Sequence, residues 1–109
     1  MKYELSACRV EDALGILVGK WKPIILLHLL NHGTQRFNQL RRSMPGITQK
    51  MLTKQLRELE TEDIVERVVY AEIPPKVEYS ITEYGRSLQP ILEAMHEWGV
   101  KHTVHKQTK

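Results

Sequence analysis

Apolar positions follow a helical period through the first half of the chain and a period of two beyond it. Val10, Ala13, Leu14, Leu17 and Val18 share one helical face, which predicts a first helix over residues 10–18. Glu11 and Asp12 fall in its first turn, where the helix dipole favours acids, and Gly19 ends it. A second helix starts near Trp21 and Pro23, because proline is tolerated at a helix start. It runs through the apolar stretch 24–30 and stops at Gly33. Being apolar nearly all round, it is the expected central core helix. Residues 34–36 read as a short extended link. Phe37, Leu40 and Met44 predict a third helix over 37–44, broken by Pro45-Gly46. Thr48 is then the expected N-cap of a fourth helix, over 48–61, with Met51, Leu52, Leu56 and Leu59 as its buried stripe.

The period then changes. Val77, Tyr79 and Ile81 alternate with Glu78 and Ser80, as a half-buried strand requires. The preceding run, 65–73, is rich in Val and Tyr. Pro74-Pro75-Lys76 joins the two runs, and its prolines make a stiff tip without backbone donors. The expected result is a two-stranded hairpin over 65–81. Thr82 is the expected cap of a last helix, 82–102, with an apolar stripe of Leu88, Ile91, Leu92, Met95 and Trp98. Residues 103–109 lack apolar periodicity and are the one stretch where disorder is expected.

Composition narrows the picture. The chain has 109 residues, 41% of them apolar, enough for one domain and one core. The apolar stretch 24–30 is interrupted by His28 and falls well short of the roughly 20 residues a bilayer requires. The N-terminus has no signal-peptide apolar region. Cys8, the single cysteine, has no internal disulfide partner. A cytoplasmic protein with no membrane contact is expected.

Charge is segregated. No Asp or Glu lies between Ala13 and Arg57, a stretch holding eight Lys and Arg; it carries +8, so the rest of a +3 chain sums to −5. Such a chain offers a basic surface to a polyanion. The order helix, short turn, helix, hairpin is that of a winged helix-turn-helix. With its apolar stripe inward, the fourth helix turns Gln49, Lys50, Thr53, Lys54 and Arg57 outward. These side chains suit a major-groove reader of double-stranded DNA: Lys and Arg neutralise phosphate, and Gln, Lys and Thr reach base edges. Gln49, Lys50 and Thr53, near the helix N-terminus, are the expected base contacts, with Thr48 beside them. Lys54 and Arg57 are expected on phosphate or flanking bases. Arg36, Arg41 and Arg42 belong to the same basic surface, and Lys76 at the hairpin tip would reach an adjacent minor groove or phosphate.

The ordered residues resemble the HxlR family of bacterial winged-helix regulators, within the broader MarR-like group. The resemblance is carried by Cys8, Gly19-Lys20-Trp21, the 24–30 run, Gly33, Arg36-Phe37 with Leu40, Ile47, Leu52, Leu56 and Leu59. It continues through Val65-Glu66-Arg67, Pro75, Val77-Glu78-Tyr79, Thr82 with Gly85, and Trp98. Two departures stand out: Arg9 follows Cys8 where many relatives have proline, and Asp63 stands where many have glycine. The resemblance implies one mainly helical α+β domain over 1–109, a winged helix-turn-helix with additional N- and C-terminal dimerisation helices. It also implies a homodimeric transcriptional regulator, a repressor, on a palindromic operator.

Local pattern supports the dimer. The winged core is complete near Ile81, and the 3–4 spacing of Leu88, Ile91, Leu92, Met95 and Trp98 suits a second helix. Leu14 on the first helix extends that interface. Cys8 has two readings. One is a small, partly buried apolar residue. The other is a thiol, beside Arg9 and just before a helix start, that senses an oxidant or electrophile, as the resemblance implies. Oxidation would then join Cys8 to its copy across the dimer or to a small thiol. His28 and His32 share a helical face but lack neighbouring ligands, so no metal site or cofactor is expected. No nucleophile elbow or phosphate loop appears, and no enzyme is expected. The competing readings are a small-molecule-responsive regulator in which Cys8 is incidental, and a winged-helix protein–protein adaptor that does not bind DNA.

Overall fold

The computed structural model describes residues 4–108. A 3-10 turn (Leu5–Ala7) leads through Cys8 and Arg9 into α1 (Val10–Leu17), followed by α2 (Trp21–His32). Next come the short strand β1 (Gln35–Arg36), α3 (Phe37–Arg42) and α4 (Gln49–Thr61). The wing strands β2 (Val65–Tyr70) and β3 (Lys76–Ile81) precede a second 3-10 segment (Gly85–Leu88) and the long α5 (Gln89–Gln107). This is the mainly helical winged helix-turn-helix that the sequence predicts.

The core forms around α2. Its Ile25, Leu26 and Leu29 are buried against Leu40, Met44 and Ile47 from α3 and the turn after it. Leu52, Leu56 and Leu59 close it from α4, and Ile64, Val65, Tyr79 and Ile81 from the sheet. Each terminal helix contributes a single buried residue, Leu17 from α1 and Leu92 from α5. Gly46, at φ 91°, makes the turn between α3 and α4 in a conformation that glycine adopts without strain. Among the described residues, Asp63 is the non-glycine residue held in that region, at φ 62°. Its left-handed backbone is the physical reason a glycine suits the position.

The structure departs from the pattern-based expectation in five places. The 34–36 link contributes a third strand: β1 pairs antiparallel with β3, setting Gln35 opposite Tyr79 and Arg36 opposite Glu78, in the order β1-β3-β2. The third helix stops at Arg42, with Met44 buried in the turn that follows. The last helix begins at Gln89, not at Thr82, with Pro90 in its first turn. Thr82 does act as a cap, but of the 3-10 segment: its hydroxyl accepts the Gly85 N–H (2.8 Å) and donates to the Asp63 carbonyl (2.7 Å). α5 also continues to Gln107, so residues 103–107, expected to be disordered, are helical. Finally, Leu92 and Leu88, expected at a dimer interface, face the chain's own body: Leu92 is 2% exposed and Leu88 packs against the core.

Beyond Leu92, every described residue of α5 except Gly99 is exposed. The projecting helix gives a radius of gyration of 16.3 Å and extents of 54 × 37 × 22 Å, whereas a compact chain of this length has a radius near ~13 Å.

Candidate nucleic-acid interface

α4 is fixed at both levels that matter for a reading helix. Locally, Thr48 accepts the Met51 N–H on its side-chain oxygen (3.0 Å), which caps the helix where its first donors would otherwise be unpaired. In the core, Leu52, Leu56 and Leu59 are no more than 1% exposed. Their burial leaves the opposite face to solvent. Gln49, Lys50, Lys54 and Arg57 are exposed there, and Thr53 is half-buried among them. The Thr53 hydroxyl donates to the Gln49 carbonyl (2.9 Å), so it faces outward as an acceptor and a methyl group.

Two depressions extend this face. The first, about 410 Å³, lies between α4 and the wing and brings Gln49, Thr53 and Arg57 together with Arg67 and Glu60. The second, about 620 Å³, lies between the start of α3 and the wing tip and holds Arg36, Arg42 and Lys76. Phe37 and Val77 line both, so the two depressions adjoin. Arg36 reaches this position because its N–H is held by the Gln39 side chain (2.8 Å), which starts α3 immediately after β1. Arg41 is exposed on α3 but lines neither depression.

Lys76, expected to reach an adjacent minor groove or phosphate, is the first residue of β3. It is half-buried, pairs with Glu78 (3.6 Å) and lies 4.6 Å from the Tyr70 ring centre. Glu78, through a hydrogen bond and its charge, holds the Tyr70 phenol above its ordinary titration range. The tip itself presents Ile73, fully exposed. Lys22, counted in the acid-free stretch, is likewise engaged, bridging α2 to Glu58 on α4 (3.4 Å). Sequence reasoning missed two residues here. Arg67 and Glu60 enter the cleft from the wing and from the end of α4. The signal for Arg67 was a charge at a strand position whose neighbours at i ± 2, Val65 and Val69, are apolar.

The other candidate residues lie apart from this surface. Cys8 is half-buried just before α1, its N–H bonded to the Leu5 carbonyl (3.2 Å), while Arg9 turns to Asp12 (3.9 Å). Ile91, Met95 and Trp98 form a shallow apolar patch with Pro90 and Ala94, and Leu14 is 52% exposed on α1. His28 is half-buried and stacks on His32. Among the described residues no three His, Cys, Asp or Glu side chains gather as a metal site would require, and no single helix is long and apolar enough to cross a membrane.

The model of the HxlR-like helix-turn-helix family matches residues 16–107. The chain is 54% identical over 101 residues to the uncharacterized HTH-type transcriptional regulator YtcD of Bacillus subtilis, covering 93% of this chain and 77% of that one. Among solved structures it is similar to the redox regulator HypR. In its reduced form HypR matches with a TM-score of 0.87 at 50% identity, over 94% of this chain and 100% of that one. The oxidized form matches with 0.80 at 55% identity, over 86% and 96%. Capped helix, tight turn, basic outer face and three-stranded wing thus coincide with a match over most of the length, and the chain belongs to the HxlR-like helix-turn-helix family of transcriptional regulators.

Proposed function

We propose that the chain acts as a homodimeric repressor on a palindromic operator, each protomer setting α4 into a major groove. The observation that carries this reading is the outward face of α4, with Gln49, Lys50, Thr53, Lys54 and Arg57 continuous with the arginine-lined wing depression. A B-DNA major groove about 12 Å wide admits a helix. Two copies related by a twofold axis would read half-sites about 34–36 Å apart. The dimer is supported by the terminal helices, where Ile91, Met95 and Trp98 are 44%, 46% and 65% exposed. Three large apolar side chains on one helical face are what a second copy would cover.

Cys8 would supply the switch. One thiol from each protomer joins as a disulfide. The two protons and two electrons pass to a hydroperoxide, which leaves as an alcohol and water. The half-buried thiol and the likeness to the redox regulator HypR support this step.

Gel shift with the duplex upstream of the chain's own gene tests the reading. Lys54→Ala and Arg57→Ala should weaken binding to all sequences. Gln49→Ala should relax preference at one base pair by about 1–3 kcal/mol. Parental binding by all three variants removes the recognition-helix assignment. Cys8→Ser should bind DNA normally and resist release by hydroperoxide; release of that variant would end the thiol mechanism.

A further inference from the structure

Arg67 breaks the pattern of its strand. It stands opposite Tyr79 in the β2–β3 ladder, and cross-strand partners share a face of the sheet. Tyr79 is buried, as are Val65 and Ile81, the next pair on that face. Arg67 therefore occupies a position facing the helices, where an apolar residue would extend the core. It stays exposed because its side chain lines the open cleft of about 410 Å³ between the wing and α4. Among the described residues, no carboxylate lies within ion-pair distance of its guanidinium. The fold itself leaves this charge unused.

From the opposite wall of the same cleft comes Arg57, exposed on α4, with Gln49 and Thr53 beside it. Two arginines lining one concave cleft, beside the outward face of α4, match the charge of a phosphodiester strand. We propose that Arg67 is a phosphate contact supplied by the sheet. One sugar-phosphate strand bordering the major groove passes between α4 and the wing, gripped by Arg57 from one side and Arg67 from the other. Glu60, one turn beyond Arg57 in the same cleft, repels phosphate and marks where the strand leaves. This proposal rests on α4 being the recognition helix. It adds that the body of the wing holds DNA. Phosphate contacts position the duplex without reading it, so Arg67 should strengthen binding to every sequence alike.

The test is fluorescence anisotropy of the full chain on a labelled duplex from its own upstream region and on an unrelated duplex, across a salt series. Arg67→Ala should raise Kd about tenfold on both duplexes and lower the salt slope by about 0.9, one released counterion. Arg67→Lys, which keeps the charge, should keep the slope and most of the affinity. Glu60→Gln should tighten binding to both. Arg67→Ala binding as the parent does, or Arg67→Lys failing as fully as Arg67→Ala, overturns the proposal. Lys54→Ala and Arg57→Ala measured alongside separate the two layers. If they weaken binding while Arg67→Ala does not, only the wing contact is lost. If all three bind as the parent does, the recognition-helix reading falls with it.

Discussion

α4 and the first half of α5 both carry an apolar stripe at helical spacing, yet the fold treats them in opposite ways. α4, 13 residues long, buries Leu52, Leu56 and Leu59 in its own domain and works through its polar face. α5, 19 residues long, buries Leu92 and leaves Ile91, Met95 and Trp98 to solvent. One helix has its hydrophobic requirement met within the protomer and is free to spend its outer face on a ligand. The other has its requirement unmet, so its stability depends on what covers it. Apolar stripes at helical spacing therefore leave a polar outer face in one place and an uncovered apolar face in another. What separates them is whether the rest of the core lies on both sides of the helix or only at its base.

That contrast can be broken experimentally, starting with the largest effect. Leu56→Ala should destabilise the protomer by about 2–5 kcal/mol, through lost transfer energy and the cavity left behind. Urea unfolding should show this loss, with little change in the dimer contact itself. Trp98→Ala should do the reverse. Local folding by circular dichroism should persist, while sedimentation should show self-association weakened by about 2 kcal/mol or more, as for a central aromatic anchor. A Trp98→Ala protein that associates like the parent would put the joining surface elsewhere. Thr48→Ala sharpens the α4 side. Losing the cap should cost about 1 kcal/mol in urea unfolding, with Gln49 and Lys50 less ordered on DNA.

The smallest effect concerns the wing. Glu78 raises the Tyr70 pKa, so the folded state favours the neutral phenol. That contribution is present below the ordinary tyrosine range and disappears as pH rises through the raised value. Tyrosinate absorbance should show one late-titrating group in the parent and its return toward the ordinary range in Glu78→Gln. Identical curves would mean that Glu78 does not govern Tyr70 in solution.

The body of the fold was legible because its punctuation is local. Pro45-Gly46, Thr48 and Gly33 each act through their own backbone or side chain, and the first four helices begin and end within about two residues of where these place them. β1 was not legible. Two residues carry no period, and Gln35 and Arg36 become a strand only because β3 lies beside them. The base of α5 misleads for a different reason. Thr82 and Pro90 are both start signals, and only the close approach at Gly85 shows which begins the α-helix. A Cβ at Gly85 would collide with the Ile64 carbonyl and the Ile81 side chain. The outward face of α4 followed directly from the inward stripe. Lys76 did not, because Glu78 and Tyr70, two and six residues away, engage it only once the hairpin forms. Arg67 was visible as an oddity in the alternation, but its cleft needs α4 in place.

The hydroxyl of Thr82 is a hinge pin. It ties the turn after α4, through the Asp63 carbonyl, to the segment that launches α5, through the Gly85 N–H, while its own backbone bonds Ile64 (2.9 Å). α5 leaves this joint as a cantilever about 28 Å long. Tilting such a beam by about 5° carries its far end by roughly 2.5 Å. In the proposed dimer, the tolerance to which two copies can be aligned is therefore set at the base of the lever, by these hydrogen bonds and by the packing of Leu88 and Leu92 on the core.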